Sequence, residues 1–449
     1  MTRTDGRAMQ VCMWNYHAEL LSSPVPRYTS YPTAAEFGDE VGQVDFSDAV
    51  STATGDVSLY VNIPFCDQIC WYCGCNTAAA NRATRLTSYL DALHKEIMLV
   101  AEMLPAGARV RRIAFGGGSP NAINPVDFIR LMDQLTLKFP LDSPTVAIEL
   151  DPRSLTQEWE GVLGAIGVSH ASLGVQTFAP SLQRAIGRIQ PVAMIDRAVE
   201  LLRKAGVGSL NLDLMYGLPG QNLDDVSSSL DMAQRLGADR VAFFGYAHVP
   251  HLIPRQRQID GSNLPDQLLR FNMAALGYHN MVHAGYVPVG FDHFALPGDS
   301  LARAATAGEL HRNFQGFTDD SATTLIGLGA SAISSFPNLL AQHEKNAGRY
   351  RMLLSQGKAP VARGKVRTVE DRRRGAIIEE LLCQGRARVD HAIMEGAQDR
   401  LEPFARAGLF EFAGGMFVIP ESSLPYARSI AACFDPYRQD SARRFSSAV

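Results

Sequence analysis

Two hydrophobic rhythms alternate along the chain. Short runs rich in β-branched and aromatic residues occur at Leu59–Pro64, Arg112–Phe115, Val146–Leu150, Ala171–Gln176, Leu210–Met215, Val241–Tyr246 and Val287–Phe291. Between most of them lie longer segments with apolar residues at helical spacing, such as Leu86–Leu104 (LTSYLDALHKEIMLVAEML) and Val192–Lys204. Strands that alternate with helices predict a parallel sheet, open or curled into a barrel, because the chain must cross back over the sheet and a helix buries its apolar stripe while doing so. No repeat at solenoid spacing interrupts this pattern.

The rhythm divides the chain into three parts. Residues 1–54 form an arm whose segment Arg27–Ala34 (RYTSYPTA), rich in Pro, Ser and Thr, reads as extended chain. Residues 55–356 carry the βα alternation and an extension. From about Gly357 the pattern changes: the basic stretch ARGKVRTVEDRRRG leads to a helix at Ala376–Gln384, a second at Val389–Gly396, a hairpin at Leu409–Pro420 (LFEFAGGMFVIP) and a terminal helix near Leu424–Phe434. Residues 357–449 are thus expected to be a small, mostly helical α+β domain shaped like a winged helix, a likeness that does not by itself imply DNA binding.

Polar and reactive residues gather just after the predicted strands. Cys66 follows the first, Gly116–Ser119 the second, Asp151 the third and His248 the sixth. In βα folds this carboxyl edge of the sheet is where sites are built, so one shared site is expected there.

With 449 residues, 46% of them hydrophobic, the chain can bury a sizeable core. Its net charge of −4 gives no overall case for nucleic acid, and Arg372–Arg374 read as the solvated start of a helix. No stretch has the apolar length to span a bilayer, and MTRTDGRAMQVCMWNYHAELL lacks a continuous apolar signal core, so a cytoplasmic location is expected. Of the seven cysteines, Cys12, Cys383 and Cys433 stand alone and read as small buried hydrophobes.

The other four fall within PFCDQICWYCGCNT, with Cys66, Cys70 and Cys73 at C-x3-C-x2-C and Cys75 two residues on. Three thiolates on one loop can grip three irons of a cubane while the fourth iron stays open. A structural zinc site using all four cysteines is the competing arrangement, but zinc sites favour C-x2-C pairs with a second pair downstream, which this chain lacks. Glycines at Gly116–Gly118 let backbone approach a ligand without side-chain obstruction.

This cysteine loop, directly after the first strand of a βα series, resembles the signature of the radical S-adenosylmethionine superfamily, and Gly116–Ser119 resembles its GGE-type motif. Further segments resemble one family within it, the oxygen-independent coproporphyrinogen III oxidases. They include RYTSYPTA, LYVNIPFC at Leu59–Cys66, ELDPRSL at Glu149–Leu155, GVQTF at Gly174–Phe178, DLMYGLPGQ at Asp213–Gln221, YAHVP at Tyr246–Pro250, HRNFQGF at His311–Phe317 and GLGASAIS at Gly327–Ser334.

The resemblance implies an α/β fold, a partial (β/α)6 barrel, with residues 55–356 as its catalytic domain. It implies one [4Fe–4S] cluster on Cys66, Cys70 and Cys73, with Cys75 not a ligand. Two S-adenosylmethionine molecules are implied, the first near Gly117, Gly118, Ser119, Glu149, Gln176, Arg188, Asp213 and Ala247. Tyr60, Phe314, Gln315 and Ile333 match residues touching both or the second. The implied reaction converts two propionates of coproporphyrinogen III to vinyls, giving protoporphyrinogen IX, with electrons from a donor such as flavodoxin or ferredoxin and the enzyme a monomer. Arg27, Arg312 and His311 are the candidates for the substrate's carboxylates, since guanidinium pairs bidentately with carboxylate. Asn62 stands where this family usually has histidine, and an amide cannot act as acid or base. The alternatives are a methyl-transferring relative or a heme chaperone; against the chaperone stand Cys75, the RYTSYPTA arm and the HRNFQGF segment.

Overall fold

The computed structural model describes residues 14–80 and 83–438; Cys12 lies outside them. Its centre is an open sheet of twelve strands: β1 Gly55–Ile63, β2 Ala108–Gly117, β3 Leu141–Leu150, β4 Val168–Gln176, β5 Ser209–Tyr216, β6 Arg240–Gly245, β7 Val287–Val289, β8 His293–Ala295, β9 Thr324–Leu328, β10 Ile333–Phe336, β11 Leu339–His343 and β12 Val361–Val366. Strands β1 to β6 lie side by side in chain order and all run parallel. β9 returns to pair parallel with β1 on its free side, and antiparallel strands complete both edges.

Helices connect the parallel strands: α1 Ala83–Met103, α2 Pro125–Lys138, α3 Glu158–Ile166, α4 Val192–Lys204, α5 Leu223–Arg235 and, after β6, α6 Gln267–His283. Their starts are written in the sequence. Asn124 accepts from the Asp127 amide ahead of Pro125, and Asn222 forms a reciprocal cap with Asp225. β1 buries residues of both its faces, as a strand covered on both sides must, and its apolar side chains join a core that continues into the helices.

Three boundaries differ from the sequence reading. β12 lies beyond Gly357 yet pairs with β11 in the large sheet, and Gly364 bridges Gly38 of the arm. The basic stretch that follows is helical much earlier than Ala376: Thr368 and Asp371 cap each other's backbone and start α7, Val369–Gln384. The next helix, α8, runs His391–Arg406, ten residues past Gly396, because Leu401 and Phe404 continue its buried face. The expected hairpin is present as Glu411–Ala413 paired with Met416–Val418. Arg372, Arg373 and Arg374 are bonded to Asn338, Asp390 and Glu370 respectively.

The arm is not loose chain. Its Tyr28 hydroxyl donates to Asp435, the Trp14 indole donates to the Glu421 carbonyl, and Tyr426 donates to the Asn15 carbonyl. These bonds fix residues 14–31 between the large sheet and the C-terminal part, which places Arg27 beside β6.

Candidate active site

A cavity of about 510 Å³ opens at the carboxyl edge of the parallel strands. Successive strands each contribute to its wall: Gly117 at the end of β2 and Gly118 just after it, Glu149 from β3 and Asp151 just after it, Gln176 from β4, Asp213 from β5 and Ala247 after β6. The loop after β1 supplies Cys66, Cys70, Cys73 and Cys75.

The thiols sit in an electropositive pocket. Arg188 donates to the Cys70 sulfur at 3.1 Å and Arg153 at 3.3 Å, and Asp151 pairs with both guanidiniums. Burial works against the Asp151 carboxylate, but Arg188 and Arg153 outweigh it and hold its pKa below the usual value. The Cys73 thiol, hydrogen-bonded by Cys75, is brought down to about 6, whereas burial pushes that of Cys66 up to about 12. Among the described residues no three His, Cys, Asp or Glu side chains are arranged to hold a single metal ion. The soft thiols are spread around a cavity, an arrangement suited to separate corners of a cluster rather than to one zinc.

Opposite the thiols the wall is acidic and polar. Burial and the neighbouring Asp213 push Glu149 up to about 7, and burial raises Asp213 as well. The buried Gln176 oxygen, on a residue at φ +70°, has no hydrogen-bond partner among the described residues. A side chain on Gly116 would collide with the Glu149 carboxyl and one on Gly118 with the Phe65 backbone, so this cradle needs its glycines. An unpartnered buried oxygen beside two carboxylates suits a cationic ligand rich in donors.

Residues 60–233 match the Radical SAM superfamily. The coproporphyrinogen III oxidase of Escherichia coli, described as a radical SAM enzyme, has the same fold with a TM-score of 0.88 at 33% identity, covering 95% of this chain and 100% of that one. The oxygen-independent coproporphyrinogen III oxidase of Bradyrhizobium diazoefficiens is 39% identical over 95% of this chain and 97% of its own length. That of Pseudomonas aeruginosa is 36% identical, covering 94% and 96%. The chain belongs to the oxygen-independent coproporphyrinogen III oxidase family.

Membership of this radical SAM family implies a [4Fe–4S] cluster and S-adenosylmethionine, and the thiol pocket with its cradle fits both. Ser119 lies behind the cradle, its amide on the Phe65 carbonyl and its hydroxyl on Asn121. Arg188 is committed to Cys70, Asp151 and the Gly174 carbonyl, so its place is to hold the thiol loop against β4.

Of the remaining candidates Arg27 lines this cavity, and the others are not gathered into it. His311, Arg312 and Phe314 line a neighbouring one of about 430 Å³, on the hairpin His311–Asn313 with Gly316–Thr318. There His311 faces Glu379, which raises its pKa, and Arg312 donates to the carbonyls of Arg27 and Tyr28. Gln315 is exposed at the hairpin's tip, while Tyr60 and Ile333 are half-buried on β1 and β10. The Asn62 side chain is buried, with its amide on the Ala330 carbonyl. The sequence reading also passed over Arg153, although ELDPRSL contains it, because nothing in a linear motif shows that its guanidinium reaches Cys70.

Proposed function

We propose that this chain catalyses the oxygen-independent oxidative decarboxylation of two propionate side chains of coproporphyrinogen III to vinyl groups, forming protoporphyrinogen IX in heme biosynthesis. The observation that carries this reading is the single cavity joining Cys66, Cys70 and Cys73 to Glu149, Gln176 and Asp213, in a chain of this family over nearly its full length.

Cys66, Cys70 and Cys73 would hold one [4Fe–4S] cluster, and Gly117, Gly118, Ser119, Glu149, Gln176, Arg188, Asp213 and Ala247 surround the place of an S-adenosylmethionine. Bound there, the two supply one-electron sulfonium cleavage and so a radical able to take hydrogen from an unactivated carbon. The chain's own residues prepare the pocket. Arg188 and Arg153 offset the negative charge that thiolates bring to a half-enclosed site. Glu149 and Asp213 offer carboxylates to a ligand whose sulfonium and ammonium are cationic. The glycine cradle lets that ligand lie against backbone.

Tyr60, Phe314, Gln315 and Ile333 are the residues we assign to a second S-adenosylmethionine. Arg27, on the cavity wall, is the substrate contact we favour, with Arg312 and His311 behind it. Arg312 keeps one buried guanidinium nitrogen without a hydrogen-bond partner among the described residues. The six described cysteines are all free, which suits a reducing cytoplasm, where a flavodoxin or ferredoxin would deliver electrons to a monomer. The test is anaerobic turnover of coproporphyrinogen III by reconstituted, reduced protein with S-adenosylmethionine, read by mass spectrometry. Loss of two carboxyl groups is expected; no loss alongside competent S-adenosylmethionine cleavage rejects the reading.

A further inference from the structure

Between Cys66 and Cys70 the thiol loop is held by one side chain. Arg153 donates to the Gln68 carbonyl at 3.1 Å, to the Gln68 side-chain oxygen at 3.3 Å and to the Cys70 sulfur at 3.3 Å. Among the described residues no other hydrogen bond joins residues 67–69 to the rest of the protein. The same guanidinium grips Asp151, with Nε 3.0 Å from one carboxylate oxygen and Nη2 2.6 Å from the other. Its side chain is only 6% exposed.

We propose that Arg153 is a positioning residue for the cluster, holding the thiol loop in the shape that receives it and setting a positive charge against the Cys70 sulfur. The inference rests on the cluster reading given above.

Rigidity carries the argument first. Asp151 caps the short turn Pro152–Ser154 by accepting the Arg153 amide at 2.9 Å. Asn121 fixes the Asp151 backbone from the other side, donating to its carbonyl at 2.9 Å and accepting its amide at 3.0 Å. Asn121 in turn accepts from the Ser119 hydroxyl, beside the glycine cradle, at 2.6 Å. A chain of bonds therefore runs from the cradle through Asn121, Asp151 and Arg153 to the loop. Without its last link, residues 67–69 would have to be ordered by the cluster itself, and that entropy loss would weaken the cluster's hold on the protein.

Charge gives the second argument. Cys70 is the most buried of the loop's four cysteines and receives both guanidiniums, Arg188 at 3.1 Å as well as Arg153. Asp151 pairs with both, so it offsets one of their two charges and leaves the other for the sulfur. Burial works against the Arg153 charge, but the bond to Asp151 outweighs it and keeps the pKa above its usual value. With Arg153 removed, Asp151 would cancel Arg188, and Cys70 would keep no net positive neighbour. A lysine would restore the charge without the hold, because an ammonium cannot reproduce the planar fork that reaches Asp151 and Gln68 together.

The experiment reconstitutes native protein, Arg153→Gln and Arg153→Lys anaerobically and reads two quantities. One is the reduction potential, titrated by electron paramagnetic resonance; the other is the rate at which a chelator removes the iron. Arg153→Gln should shift the potential downward, because a positive charge beside a ligating sulfur favours the added electron. It should also lose iron about tenfold or more faster than native protein, the usual scale for losing a group that orients metal ligands. Arg153→Lys should recover the native potential while losing iron nearly as fast as Arg153→Gln. A native potential or native iron retention in Arg153→Gln overturns the proposal. Native retention in Arg153→Lys overturns it as well, and that result stands even where Arg153→Gln fails to fold. Native protein that takes up no iron and sulfide would remove the cluster reading instead, an outcome separate from every variant result.

Discussion

The side-chain amide of Asn62 donates to the carbonyl oxygen of Ala330 at 2.7 Å, and the two residues meet a second time through Tyr89. The Tyr89 hydroxyl donates to the Asn62 carbonyl at 2.6 Å and accepts the Ala330 amide at 3.1 Å. β1 is thereby locked to the turn after β9, where Gly329 also donates to the buried Glu96. Asn62 thus sets the position of the strand from which the cysteine loop departs.

Replacing Asn62 by Ala should therefore cost stability of about 1–3 kcal/mol, the penalty for a buried carbonyl left unpaired, measured by denaturant unfolding. Asn62→His should give no vinyl-forming activity that native protein lacks, because position 62 faces Ala330 and lies where a side chain on Gly117 would stand. A product seen by mass spectrometry only with Asn62→His would contradict this placement.

The parallel sheet was legible because its strands are short, apolar on both faces and separated by amphipathic helices. Even Val192–Lys204 ends where its spacing ends. What escaped was structure set by distant partners. β9 to β12 are brief strands held by pairing with each other and with β1, and α7 begins at a Thr368–Asp371 cap, ahead of the Arg372–Arg374 segment that read as a solvated helix start. In the same way the cysteine loop could be read from spacing, whereas Arg153 could not. It reaches Cys70 from a segment far along the chain, and no local pattern marks an arginine as facing inward.

The cysteines have unequal roles. Cys66→Ala, Cys70→Ala and Cys73→Ala should each abolish the iron–sulfur absorbance of anaerobically reconstituted protein, since each removes a thiol from the pocket. Cys75→Ala should retain it, because Cys75 stands exposed and, although its thiol also bonds Cys73, its backbone amide bond to the Cys73 sulfur survives the substitution. Iron and sulfide analysis distinguishes these outcomes, and stoichiometric zinc without sulfide in native protein would contradict both.

Arg188 joins Cys70 to Asp151 and to β4. Arg188→Leu should destabilise the fold by about 3–5 kcal/mol, as when one partner of a buried ion pair is lost. Any cluster it still holds should be harder to reduce, because a positive charge beside a ligating sulfur favours the extra electron. Redox titration against native protein checks the direction, and an unchanged or raised potential would show that the Cys70 contact does not tune the site.

Glu149 should make ligand affinity depend on pH near neutrality. Its ordinary pKa of 4.5 is raised to about 7 by burial and by Asp213, so between those values the folded protein binds a proton that the unfolded chain has released. Stability of the ligand-free protein should accordingly fall as pH rises from 4.5 to 7 and then level off. The change should be only about 1–2 kcal/mol, because Glu149 faces an open cavity and solvent screens it. A cationic ligand reverses the preference. S-adenosylmethionine, with its sulfonium, should bind best when Glu149 is ionised, so its affinity should climb as pH rises through 7, by up to about tenfold per unit below that value. Glu149→Gln should flatten that dependence and bind at all pH values about as weakly as native protein does in acid. Equilibrium binding of S-adenosylmethionine across pH 6–8, run on native protein and Glu149→Gln with the cluster intact, measures both slopes, and parallel profiles for the two would show that Glu149 does not face the ligand's charge.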